Sequence, residues 1–507
     1  MNLFKWLVSL LSLCCLVTSY ANPQSPETCQ PVAELGNLTG ITLNYQLGHD
    51  KKDAITVTFC FAQLMLTPAH ISLLEKLEKT LILKLSTQSQ PIDFSSNISV
   101  LSTSNELPSV SILSFIGKIY KDEKGTIQSE MLIPQYQQEI AETEERVSIN
   151  FDWAGAIAKS RYTPTDLWLQ IATALTAGKP VTTEMLKGQS IILDSYKDIE
   201  IEMMMPKLSF KLGDRFNLLV ESLKYNGLYK DILSPNKLDL TISTIRIGTD
   251  EIQLKIKGLD LKNIINITTS GLEMADVNLG IEQSIIENNG IQLNQLTLQS
   301  RGEEKGDIVN GFINTELREL VLPETILGKT YQINYQGNFV LRQLDTGSLK
   351  KFQDKFKELQ RQQYSMRPIS EEMMGMVIIG QLMQALPKLW EKSPEFAVDH
   401  LQIEMDGGKL IGKGYIGIDG SKPLSINDFD KIKAALKAKA EIVVDEAILK
   451  ILLNQQGYAS DSGVEAEIDD LVDQGKLIAL DKKRYQITLS LQAGKLLLNG
   501  QPSEWDF

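Results

Sequence analysis

The stretch Ile252-Gln-Leu-Lys-Ile-Lys-Gly-Leu259 alternates apolar with polar side chains, and Ile291-Gln-Leu-Asn-Gln-Leu-Thr-Leu298 does so again further on. Successive side chains of an extended chain point to opposite faces, so each stretch gives one oily and one wet face. That is the pattern of an antiparallel sheet covered on one side. Working outward, similar pieces recur at Ile199-Glu-Ile-Glu-Met203, Leu208-Ser-Phe-Lys-Leu212, Leu238-Asp-Leu-Thr-Ile242, Val277-Asn-Leu-Gly-Ile281 and Ile333-Asn-Tyr-Gln-Gly337. Gly or Asn stands at many of the breaks, as hairpin turns require. The expectation is a β-rich α+β fold, with a long, curved antiparallel sheet of repeated hairpins over 201–345.

The flanks differ. Residues 22–200 are mixed α/β, with a strand at Ile55–Ala62 and a helix opened by Pro68 that carries Ile71, Leu74, Leu77 and Leu81 on one face. Residues 346–507 form a helical insert followed by a C-terminal hairpin and helix section. Within the insert, residues 370–390 hold Met373, Met374, Met376, Ile378, Ile379, Met383 and Trp390. A helix apolar nearly all round needs cover on most sides. Pro387 is expected to kink or end it. Because methionine adapts to irregular apolar partners, these residues serve either as packed core or as the lining for a hydrophobic ligand or partner. Asp406-Gly407-Gly408 marks a tight hairpin turn. Ser462-Gly-Val-Glu465 reads as a capping box. In Ile432–Val444 the alternation outweighs helix propensity and predicts a strand in the second half.

Composition narrows the function. The chain has 507 residues, enough for about three domains, and carries a formal net charge of −13. An acidic balance excludes a general nucleic-acid binder, which needs clustered Lys and Arg. With His49, His70 and His400 far apart, there is no spacing for a metal site. The glycines at 407, 412, 414 and 417 match parts of two phosphate-binding motifs, but an alternating strand runs through them where a helix should begin. The carboxylates Glu139, Glu142, Glu144 and Glu145 read as a solvated face. No cofactor is implied, and no catalytic residues emerge.

Residues 1–21 read as a signal peptide: Lys5, a short apolar run from Leu7 to Val17, then Ser19-Tyr20-Ala21. Export leaves Cys29 and Cys60, which in an oxidising compartment predict a disulfide stabilising by about 3 kcal/mol. An uncleaved N-terminus would instead bring membrane association.

The chain resembles the YdgA-like bacterial envelope proteins, which carry a domain of unknown function. The residues that carry this are Gly258-Leu259 after a strand, the apolar helix near Pro387, Phe396-Ala-Val-Asp-His-Leu-Gln-Ile-Glu-Met-Asp-Gly-Gly-Lys-Leu-Ile-Gly-Lys-Gly414, Lys482-Lys-Arg-Tyr485 and Gly494-Lys-Leu-Leu-Leu-Asn-Gly-Gln-Pro502. They span about 200–507. The resemblance implies a Gram-negative inner-membrane or periplasmic setting and no established enzymatic activity. A likeness to AsmA-type lipid-conduit proteins is architectural and does not fix function. The expected function is therefore an exported, non-enzymatic scaffold or binding protein holding a lipid or another hydrophobic partner, with homo-oligomerisation left open. The alternatives are a carboxylate-based envelope hydrolase and a secreted interaction protein.

Overall fold

A computed structural model describes residues 38–502, apart from 49–53, 61–66, 103–108, 142–147, 213–215, 250–251, 325–327, 363–370, 422–423, 425–427, 455–460, 482 and 493. The predicted signal peptide, Cys29, His49 and Glu142, Glu144 and Glu145 lie outside the described residues. The chain divides into two compact units, one of residues 1–250 with 357–371 and one of residues 251–356 with 372–507. Both are β-rich and antiparallel, as the alternation predicts.

In the first unit the elements are β1 (Leu38–Leu47), β2 (Ala54–Cys60), α1 (Pro68–Thr87), β3 (Ile92–Ser102), β4 (Ser109–Lys121), β5 (Ile127–Ile133), β6 (Tyr136–Ala141), β7 (Ser148–Trp153) and β8 (Ala156–Pro164). Then come α2 (Asp166–Thr176), the short helices α3 (Thr183–Leu186) and α4 (Ile191–Asp194), and the long strands β9 (Tyr196–Leu212), β10 (Phe216–Asp231) and β11 (Ser234–Gly248). The pairing order is β2-β1-β3-β4-β5-β8-β9-β10-β11. Strand β9 also pairs with β7, which forms a hairpin with β6.

Helix α1 begins where the sequence places it. Pro68 follows the N-cap Thr67, which accepts from the His70 amide while the His70 ring accepts from the Thr67 amide. Its Ile71, Leu74, Leu81, Ile82 and Leu85 are buried. Trp153, Trp168, Phe115, Ile127, Ile171 and Ile199 are fully buried in the same unit. Each such aliphatic side chain contributes about 1.5–3 kcal/mol, so this unit has a dry core.

The second unit opens with β12 (Gln253–Ile267), β13 (Glu273–Ile286), β14 (Ile291–Lys305), β15 (Ile308–Leu322) and β16 (Tyr331–Asp345). Helix α5 (Thr346–Gln362), which passes into the first unit at Lys357, and helix α6 (Glu371–Glu391) follow, then β17 (Glu395–Met405), β18 (Gly408–Ile418), α7 (Phe429–Ala435), β19 (Leu436–Asp445), α8 (Glu446–Asn454), α9 (Asp461–Asp473), β20 (Ile478–Asp481), β21 (Arg484–Gln492), β22 (Lys495–Leu498) and β23 (Gln501–Pro502). Strands β12 to β19 add in sequence order, each antiparallel to the last, and β21 pairs with β19. Register shifts within β15–β16, β16–β17 and β17–β18 mark bulges, which bend and twist a sheet. Asp406 and Gly407 turn the β17–β18 hairpin with φ of 53° and 78°, as the sequence predicts.

Two expectations need correction. Pro387 neither ends nor breaks α6, which runs on to Glu391. The chain then turns out of the helix, where the Lys392 and Ser393 amides donate to the Leu389 and Trp390 carbonyls. Helix α9 begins at Asp461, one residue ahead of the Ser462 that the sequence places at the cap. No described helix is long and apolar enough to cross a membrane.

Candidate functional site

The second unit's sheet sorts its side chains by register. One line of direct cross-strand neighbours reads Leu259, Ile281, Leu296, Leu317, Tyr335, Ile403, Leu410, Val444 and Tyr485, from β12 to β21. A second line on the same face begins Leu261, Leu279, Leu298. Leu341, Phe396 and Ile416 are also cross-strand neighbours and are exposed. Phe339 and Phe396 stack at 6.2 Å.

The opposite face is polar. Asp260, Gly280, Thr297, Glu316, Gln336 and Gln402 form one of its lines. A cleft of about 550 Å³ lies on it, lined by residues that include Asn294, Arg318, Asn334 and Glu404. The polar groups satisfy one another there: Asn294 donates to Glu319 at 2.6 Å, Arg318 to Glu316 at 2.7 Å and Gln402 to Glu404 at 2.9 Å. Such a face is stable in water without a partner.

The apolar face is not. Leu259, Leu261, Leu279, Ile281, Leu296, Leu298, Leu317, Tyr335, Leu401 and Ile403 are all only half-buried. Cover exists at the C-terminal end, where Val444 packs with Ile448, Leu449 and Leu453 of α8 and Val464 and Ile468 of α9, joined by Leu410 and Tyr485. A second small cluster joins Leu272, Met274 and Val309 with Leu344 and Leu349. Between these, rows of leucine and isoleucine keep part of their surface in water, although burying it is favourable by about 25 cal/mol per Å².

Helix α6 shows the same excess. Met373, Met376, Ile379, Leu382 and Met383 are exposed, Met376 at 67% and Ile379 at 63%. The spacing of three and four puts Met376, Ile379 and Met383 on one helix face. Met374, Ile378 and Trp390 are half-buried. The expectation of cover on most sides therefore fails: apolarity all round says that burial would be favourable, not that the chain supplies the cover. At its C-terminal end the helix is fixed by Lys392, whose ammonium donates to Asp307, and by Ser393, which accepts from the Gly420 amide at 3.0 Å. The Lys392 hydrogen bond holds the Asp307 carboxyl below its ordinary range.

Cys60 ends β2, half-buried. His70 lies in the α1 cap, its Nε2 at 2.8 Å from the Thr58 carbonyl oxygen. His400 sits on the polar face of β17, opposite Asn338. Gly414 is a close-approach position: a Cβ there would meet the Lys439 carbonyl oxygen at 2.6 Å. This is the strand role the sequence indicates. Sequence reasoning expects an apolar ligand or partner against a curved sheet but does not single out this line, because alternation assigns a face without saying which residues align across the strands. It also missed Gly337, which lies in β16 between Tyr335 and Phe339. Any Cβ there would strike both rings, so the glycine lets two aromatics close over the strand on the apolar face.

Residues 144–505 match the family model described as bacterial protein of unknown function, DUF945. No curated protein and no solved structure matches the chain.

Proposed function

The chain belongs to the bacterial family of unknown function DUF945, and we propose that it is a non-enzymatic binding protein whose second unit holds a lipid or similar apolar molecule against its sheet. The observation that carries this is the half-buried line from Leu259 to Ile403, row on row, with no buried cluster over it among the described residues. Acyl chains are the chemistry such a surface accepts: long, apolar and deformable. The exposed methionine face of α6 adds an adaptable contact for the same class of ligand. The polar face, with its amides and charges paired in place, remains toward water.

In the same reading the protein is YdgA-like and exported to the bacterial envelope after loss of residues 1–21. Cys29 and Cys60 then form a disulfide that anchors the mature N-terminus to β2. Support comes from the N-terminal sequence pattern and the cysteine count after cleavage.

The test is native mass spectrometry of protein purified without detergent, followed by organic extraction and lipid analysis. Co-purifying acyl lipids in defined stoichiometry are expected. A ligand-free protein that also ignores lipid vesicles would overturn the proposal.

A further inference from the structure

The first unit carries a separate exposed apolar surface. On β4, β5, β8 and β9, the residues Ile116, Leu132, Ile157 and Met204 are direct cross-strand neighbours in a single line. They are 53%, 46%, 46% and 55% exposed. The other face of these strands is core, with Phe115, Ile119, Ile127, Met131, Met203 and Met205 buried. An unbroken apolar row across four strands marks an interaction site rather than scatter.

The row beside it is charged in alternation. Lys118, Glu130, Lys159 and Glu202 are also direct neighbours, reading plus, minus, plus, minus across the sheet. The Lys159–Glu130 separation is 3.9 Å with both side chains more than half exposed, so the pair is held loosely and free to re-pair. The next row is Tyr120, Gln128, Arg161 and Glu200.

This sequence of charges is complementary to its own reverse. A twofold axis parallel to the strands and between β5 and β8 reverses the strand order and keeps each row level. Leu132 then meets Ile157 of the second copy, and Ile116 meets its Met204. Glu130 meets Lys159, Lys118 meets Glu202, Gln128 meets Arg161 and Tyr120 meets Glu200. No like charges oppose each other in these rows. We infer that the β4-β5-β8-β9 face is a self-complementary surface for a second copy of this chain, packed sheet on sheet about a twofold axis. Strands lie about 4.8 Å apart, so a patch four strands wide is at the small end of interfaces, which bury about 800 Å² per partner.

Sedimentation velocity of the full chain over a concentration series tests this. Wild type is expected to move from monomer to dimer. Glu130→Lys alone opposes two lysines across the axis, and Lys159→Glu alone opposes two glutamates, so each variant is expected to remain monomeric. Mixed in equal amounts, the two variants match across the axis and are expected to form a heterodimer. Ile157→Gln, which leaves every charge in place, should weaken the wild-type dimer at least tenfold. A wild type that stays monomeric at every concentration overturns the inference, including one that is monomeric and binds lipid vesicles through this row. Single variants that dimerise like wild type, or a mixture that stays monomeric, overturn it equally.

Discussion

Glu78 is a carboxyl in the wrong solvent. It lies on α1 among Ile71, Leu74 and Leu81, 3% exposed, and accepts from the Tyr196 hydroxyl. Burial pushes its pKa up, opposed in part by that hydrogen bond. Tyr45 and Tyr162 are raised too, chiefly by burial. A raised carboxyl supports the fold fully below its unfolded value of about 4.3 and loses that support as pH rises through the folded value. Thermal unfolding of the first unit should thus shift downward from acid toward neutral pH, and Glu78→Gln should flatten that slope. An unchanged slope would contradict the assignment. Glu304 in the second unit runs the other way. The Ser270, Thr268 and Thr269 hydroxyls hold its carboxylate at about 2. Its contribution is present above about 4.3 and is lost as pH falls toward about 2. Glu304→Gln should remove part of the acid-side loss seen by urea denaturation, and an acid limb identical to wild type would count against this. At Gly337, Val would displace Tyr335 or Phe339, costing about 1–3 kcal/mol, measurable as a lower denaturation midpoint. None of these three roles was visible in sequence, since each depends on what another strand or helix brings alongside.

At the scale of elements, alternation read well and cover read poorly. Leu436–Asp445 is a strand although its Ala and Lys residues favour helix, because the alternating pattern places Ile442 and Val444 on the apolar face. The Pro68 helix start and the Asp406-Gly407 turn were legible, since both follow from local backbone chemistry. In helix α6 apolarity does not imply cover, as the exposed Met373, Met376 and Ile379 show. That exposure separates function from stability. Met376→Glu or Ile379→Glu should change folding free energy by less than about 0.5 kcal/mol, as surface substitutions do, while lowering uptake of an acyl probe several-fold. Equal loss of stability and binding would return the helix to the role of packed core.

For the molecule as a whole, two kinds of sheet follow from one pattern. The first unit sets α1 and α2 over its strands and buries tryptophans. In the second unit the line from Leu259 to Ile403 stays half-buried, and the dry clusters lie toward β19 and β21 and at Leu272, Met274 and Val309. The sequence announced both sheets in the same grammar, and cross-strand register separates them. The most direct test of the binding face is photolabelling with a diazirine-bearing fatty acid, followed by digestion and peptide mapping. Labels are predicted on peptides of β13 to β17, at Leu279, Leu296, Leu317, Tyr335 and Ile403, and they should fall when Leu298→Glu is introduced. Labelling confined to the polar line of Thr297, Glu316 and Gln336, or no labelling at saturating probe, would contradict the account.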